Sequence, residues 1–326
     1  MCCCLICSVI YTKQKMKKYL FLIAVFFANY FTMNAANPEI PSCLTKDNTR
    51  LKVLSWNIYM LPYISLFNNN AQRAKAIADQ LKSSDYTIIV FQEAFSSKCR
   101  NVLATNLLAN YPYQYGPANK NFLPFRTNSG LWIVSKIRLT ELEEFQFGRS
   151  EGFDAIARKG AVLFEGMFNG AKFQLLTTHL QADNSEVIRM KQCAEIKEHL
   201  LNKYYRKDIP QFICGDFNID MDDCPNYQQM LTTLDAQNGE LSGNVKVTYD
   251  EINNNLARIP NGKERVIDYV LVRNAELIHS IERRVQTFLA RIGKHNTNLS
   301  DHYAMEFDVS FVPQSPISDV KMVSVR

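Results

Sequence analysis

The stretch AVLFEGMFNGAKFQLLTTHLQA, residues 161–182, places two apolar runs of strand length around the dipeptide Asn169-Gly170, and its second run ends in a histidine and a glutamine. Asn-Gly between such runs specifies an antiparallel hairpin, because both residues tolerate the positive φ of a tight turn. The next segment, VIRMKQCAEIKEHLLNKYY at 187–205, has helical periodicity and leads to another apolar run, IPQFICGDF at 209–217. A hairpin that feeds a strand–helix–strand unit needs a sheet with both antiparallel and parallel neighbours.

The same alternation runs outward in both directions. LKVLSWNIY, YTIIVFQEA, SGLWIVSK, VIDYVLVR and YAMEFDVSF read as strands, and AQRAKAIADQLKSS, SKCRNVLATNLLANY and PNYQQMLTTL as amphipathic helices. No internal repeat, low-complexity tract or Pro/Gly/Ser linker divides them. The expectation is an α/β protein of two packed sheets with helices outside.

The N-terminus is of another kind. In MKKYLFLIAVFFANYF, Lys17 and Lys18 precede an apolar stretch of about thirteen residues, the anatomy of a signal peptide. That stretch is too short to span a bilayer comfortably, and Ala35 and Ala36 mark a cleavage region. Residues 1–36 are therefore read as an N-terminal extension and signal peptide, with Met16 as the initiator, and 37–326 as a single catalytic domain that is secreted or periplasmic. Removing 1–36 takes away four lysines and no acidic residue, so the net charge of +5 falls to +1. Bulk charge then gives no reason to expect a nucleic-acid partner. Five cysteines remain, Cys43, Cys99, Cys193, Cys214 and Cys224, enough for at most two disulfides, and no CxxC pair points to zinc.

Polar residues gather where the apolar runs stop. LKVLSW ends in Asn57, TIIVFQ in Glu93, QLLTT in His179, and QFICG in Asp216 with Asn218 two residues on; VI ends in Asp268, and Asp301 and His302 immediately precede the last strand. Each taken alone reads equally well as a cap, a turn or a solvated end. Strand ends on one side of a sheet converge on a cleft, however, and six together point to a site. Hard oxygen ligands from Glu93 and Asn57, with Asp216 or Asp301, suit Mg²⁺. Two histidines titrating near neutrality suit a base and a donor. Metal, base and donor together make a phosphodiester hydrolase.

The segments SWNIY, FQEAF, SGLWIVSK, TTHLQA, GDFNID, VIDYVL and LSDHYAM resemble, in order, the endonuclease/exonuclease/phosphatase superfamily over about residues 51–311. The resemblance implies a four-layer α/β sandwich, two packed mixed β-sheets flanked by helices, of the deoxyribonuclease I-like kind. NIYMLP, HLQAD and RKGAVLFEG are similar to the secreted bacterial neutral sphingomyelinases. Carried over residue by residue, the resemblance makes Glu93 the Mg²⁺ ligand, with Asn57 beside it and Asp301 supporting the metal side; Mn²⁺ or Co²⁺ are substitutes for Mg²⁺. His302 becomes the general base, Asp268 its orienting partner and His179 the donor to the phosphate. Asp216 and Asn218 position the water and a phosphate oxygen, and Asp154 and Lys159 match the family's aspartate and lysine-glycine segment.

The implied reaction is hydrolysis of sphingomyelin to ceramide and phosphocholine by a monomer at a membrane surface. A nuclease or phosphoinositide phosphatase on the same fold is the alternative enzyme, and a non-catalytic binding module the alternative class. RRVQTFLARIGKHNTN stands where the family's toxins carry a membrane-entering hairpin, and offers Phe288 and Leu289 among basic residues. Those two either touch lipid or pack beneath a loop.

Overall fold

A computed structural model describes residues 49–61, 69–120, 127–182 and 185–312. The expected signal peptide, its boundary at residue 36 and Cys43 lie outside the described residues. In chain order, β1 (Leu51–Asn57) leads through α1 (Asn70–Leu81) to β2 (Ile88–Gln92). Then come α2 (Ser97–Leu107), β3 (Tyr113–Tyr115), β4 (Trp132–Ser135), β5 (Leu139–Gln146), β6 (Gly160–Phe168) and β7 (Ala171–His179). α3 (Glu186–Ile196), widening into a π-helical segment at Lys197–Asn202, leads to β8 (Gln211–Asp216). α4 (Cys224–Leu234), β9 (Leu241–Ser242), β10 (Tyr249–Asp250), β11 (Glu264–Arg265) and β12 (Asp268–Arg273) follow. The chain continues through β13 (Ile278–Gln286), β14 (Leu289–Ile292) and β15 (His295–Asn298) to β16 (Ala304–Phe311).

Two mixed sheets result. The first has the order β3-β4-β2-β1-β16-β13-β9 and the second β12-β8-β7-β6-β5. The Asn169-Gly170 hairpin joins β6 to β7 with Phe168 opposite Ala171, both turn residues having positive φ. The crossover through α3 makes β8 parallel to β7, as α1 makes β2 parallel to β1.

Period-two alternation explains the layering. In β1, Leu51 and Val53 face the second sheet, packing with Phe164, Leu175, Phe212 and Val270 in a core between the sheets. Leu54 and Trp56 point the other way, onto Ala74, Ile77 and Leu81 of α1 and Leu103 of α2. The second sheet repeats this, with Leu163, Leu176 and Ile213 under Ile196 of α3 and Met230 of α4. The four layers are thus helices, sheet, sheet, helices.

Parallel and antiparallel neighbours bring both kinds of strand terminus to one edge. β1, β2, β7 and β8 end there, while β12 begins there with Asp268 paired to Asp216. Asp268 is therefore a strand start rather than the strand end expected, because β12 runs antiparallel to β8. β16 likewise begins just past His302, antiparallel to β1.

Candidate active site

His302 is held between two carboxylates at this edge. Its Nδ1 lies 2.9 Å from Asp268 Oδ2 and its Nε2 3.7 Å from Asp216 Oδ2, all three side chains being buried. Burial disfavours charge on the ring, but Asp268 and Asp216 outweigh it and hold the imidazole pKa well above its ordinary value. Burial in turn pushes the Asp268 carboxyl up to about 6, although the His302 charge pulls the other way. The Asp268 N–H donates to Thr248 Oγ1 at 3.1 Å, fixing the strand start on which the carboxylate stands.

His179 is held in the opposite charge state. Its Nε2 is 3.4 Å from the same Asp216 Oδ2 and 3.9 Å from Glu93 Oε1. Burial, then the neighbouring Lys159 charge, keeps its pKa well below the ordinary value. The Lys159 ammonium, itself buried, donates to His179 Nε2 at 3.0 Å and to the Leu180 carbonyl at 2.8 Å, and pairs with Asp154 at 2.8 Å. The neutral ring then carries its proton on Nδ1, which has no partner among the described residues. His179 is the residue expected to donate to the phosphate. In this arrangement its Nε2 accepts, and donating to phosphate requires giving up the bond from Lys159.

Asp216 ties the centre together. Its Oδ2 accepts from Asn57 Nδ2 at 3.1 Å and its Oδ1 from the Asn218 N–H at 3.0 Å. Asn218 and Glu93 both adopt positive φ, 52° and 54°, conformations costing about 1–3 kcal/mol in non-glycine residues that persist where surrounding structure enforces them. Asp154 also accepts from the Ala182 N–H at 2.7 Å, so the loop after β7 is anchored to the Lys159 segment.

The carboxylates fit a hard cation. Glu93 Oε2 is buried without a hydrogen-bond partner among the described residues, and burial reinforced by Asp301 pushes its carboxyl up to about 7. Asp301 is raised as well, chiefly by burial. Oxygen donors from Glu93, Asn57 and Asp301 are what Mg²⁺ takes. Asp216, Asp268 and His302 also offer ligand atoms within 4.8 Å of one another, but the His302–Asp268 bond already joins two of them.

Other residues had no sequence signal. Tyr249 lies edge-on to the His302 ring at 4.8 Å, and Arg73 uses its buried guanidinium to hold the Leu299 and Ile58 carbonyls at 2.8 and 2.6 Å. Of the two roles open to Phe288, packing beneath a loop is the one its contacts describe. It is half-buried and stacks on Trp56 beneath the β14–β15 hairpin, while Leu289 is exposed.

A model of the Endonuclease/Exonuclease/phosphatase family matches residues 54–302. Sphingomyelinase C 2 of Leptospira interrogans serogroup Icterohaemorrhagiae serovar Lai is 30% identical over 320 residues, 88% of this chain and 51% of the relative; the chain spans about half of that protein. Phospholipase C of Staphylococcus aureus is 30% identical over 247 residues, 69% of this chain and 74% of the relative. A crystal structure of a beta toxin mutant from Staphylococcus aureus with bound magnesium ions superposes with TM-score 0.68 at 25% identity, covering 79% of this chain and 98% of that one.

Proposed function

The chain belongs to the Endonuclease/Exonuclease/phosphatase family, and from that premise we propose that it is a Mg²⁺-dependent phosphodiesterase hydrolysing sphingomyelin to ceramide and phosphocholine. The observation that carries the reaction class is the His302–Asp268 pair set beside the Glu93 carboxylate, whose Oε2 has no hydrogen-bond partner among the described residues. The lipid is supported by the names of the relatives, which act on sphingomyelin or phospholipid.

Glu93, Asn57 and Asp301 would hold the ion. An Mg²⁺ bound there would supply positive charge for a phosphate oxygen and would oppose the carboxylate field that holds the His302 pKa up. Asp268 holds His302 as the Nδ1–H tautomer, leaving Nε2 to take a proton from the attacking water. Asp216, reached by both histidines and Asn57, orients the groups around that water. Lys159 brings positive charge to the far side, through its bond to His179.

The same reading takes residues 1–36 as an export signal and makes contact with a bilayer through exposed Leu289, flanked by Arg291 and Lys294. Among the described residues no helix is long and apolar enough to cross a membrane.

Sphingomyelin, phosphatidylcholine, a phosphoinositide and plasmid DNA, each assayed with Mg²⁺ and with chelator, test the proposal. Phosphocholine release from sphingomyelin, abolished by chelator and in His302→Ala, is the expected result. DNA cleavage without lipid hydrolysis would transfer the chain to the nucleases of its family.

A further inference from the structure

His302 is suspended between the two sheets. Its imidazole is tied to the second sheet by Asp268, and its backbone to the first by Trp56, whose indole Nε1–H donates to the His302 carbonyl at 3.0 Å. Residues 299–303 lie between β15 and β16, outside the sheet ladder except for one bridge from His302 to Tyr249. Side chains therefore do much of the holding. Ser300 Oγ donates to the Asn57 carbonyl at 2.6 Å, Arg73 grips Leu299, and Trp56 grips His302 itself.

Trp56 is in turn fixed from outside. It is 1% exposed on the helix side of β1, and Phe288 stacks on it with ring centroids 4.6 Å apart and planes 28° from parallel. The Phe288 carbonyl accepts from the Leu299 N–H at 2.9 Å, closing the root of the β14–β15 hairpin. Hairpin root, indole and His302 backbone form one continuous run of contacts.

We propose that Trp56 and Phe288 are positioning residues for His302, setting the place of its Nε2 through the backbone while Asp268 sets the ring orientation. The proposal rests on His302 being the general base. Neither residue touches the reacting atoms. A base must sit within hydrogen-bond reach of its water, and displacement by about 1 Å costs on the order of a hundredfold in rate. A ring anchored only at Nδ1 could still tilt about that bond as its backbone shifted. The competing role is packing alone, since a buried indole needs an acceptor in any case.

Trp56→Phe separates the two, because it keeps a buried aromatic ring for Phe288 and removes the N–H. Positioning predicts that kcat on a soluble chromogenic phosphodiester falls about ten- to a hundredfold with KM within about twofold, whereas packing alone lowers the melting temperature and leaves kcat of the folded enzyme unchanged. Phe288→Leu moves kcat the same way, and Phe288→Tyr restores it. Wild-type kcat in both Trp56→Phe and Phe288→Leu overturns the proposal. Imidazole ¹⁵N spectra read the ring without turnover: a shifted His302 signal in Trp56→Phe is expected, and a wild-type signal counts against positioning. His302→Ala keeps the readings apart. If it retains full activity, the base assignment fails, and the ¹⁵N spectra alone decide whether Trp56 places the ring.

Discussion

A carboxylate oxygen buried without a donor destabilises a fold until something binds it, and Glu93 Oε2 is in that condition among the described residues. Its backbone sits at φ 54° just past β2, and its carboxyl is pushed up to about 7 by burial and by Asp301. Glu93→Gln replaces one buried acceptor by an amide and removes the repulsion, so the metal-free variant should be more stable than wild type. Each kcal/mol relieved raises the melting temperature by about 2–4 °C in a domain of this size. Turnover should fall by several orders of magnitude, and added Mg²⁺, which raises the wild-type melting temperature by mass action, should no longer do so. Thermal denaturation with Mg²⁺ and with chelator measures both. A variant less stable than wild type without metal, or still stabilised by it, removes Glu93 from the metal site.

At the scale of elements, the site depends on how closely β7 and β8 approach. Gly215 has φ +146°, and a Cβ there would lie 2.0 Å from the Thr178 carbonyl oxygen of β7. One residue further along, His179 stands opposite Asp216. Gly215→Ala must therefore part the strands where two site residues meet, at a cost of about 3 kcal/mol or more in urea denaturation. An alanine variant with wild-type stability would show that the pairing is looser than described. Strands such as β7, β8 and β12 are legible in the sequence because burial on both faces makes them nearly continuous apolar runs. β5 and β13 are not, since LTELEEFQ and IHSIERRVQ carry charges at alternate or adjacent positions. In β13 the structure satisfies those charges locally: Arg283 Nε reaches the Val270 carbonyl at 2.8 Å, and Arg284 pairs with Glu306 at 3.1 Å. The site was legible as residue types at strand termini, but not as pairs. Spacing does not reveal that Lys159 donates to His179. Nor does a turn-like segment such as VTYDE announce that Thr248 holds Asp268 and Tyr249 lies against the His302 ring.

For the molecule as a whole, apolar cores carry the stability, and among the described residues three of the four cysteines belong to them rather than to cross-links. Cys99, Cys193 and Cys214 are buried free thiols, one in each core, while Cys224 is exposed at the start of α4. A domain this large buries enough surface to do without disulfides even if exported. Burial pushes the Cys193 and Cys214 thiols up to about 12, so neither offers thiolate to a reagent at neutral pH. In residues 37–326 carrying Cys43→Ser, a single thiol should react quickly with a chromogenic disulfide reagent, and Cys224→Ser should abolish that reaction. The other three should appear only on unfolding, and a reductant should leave the melting temperature unchanged. Fewer than four thiols in denaturant without reductant, or a melting temperature lowered by reductant, would mean that a disulfide braces the fold and that the cores do not suffice.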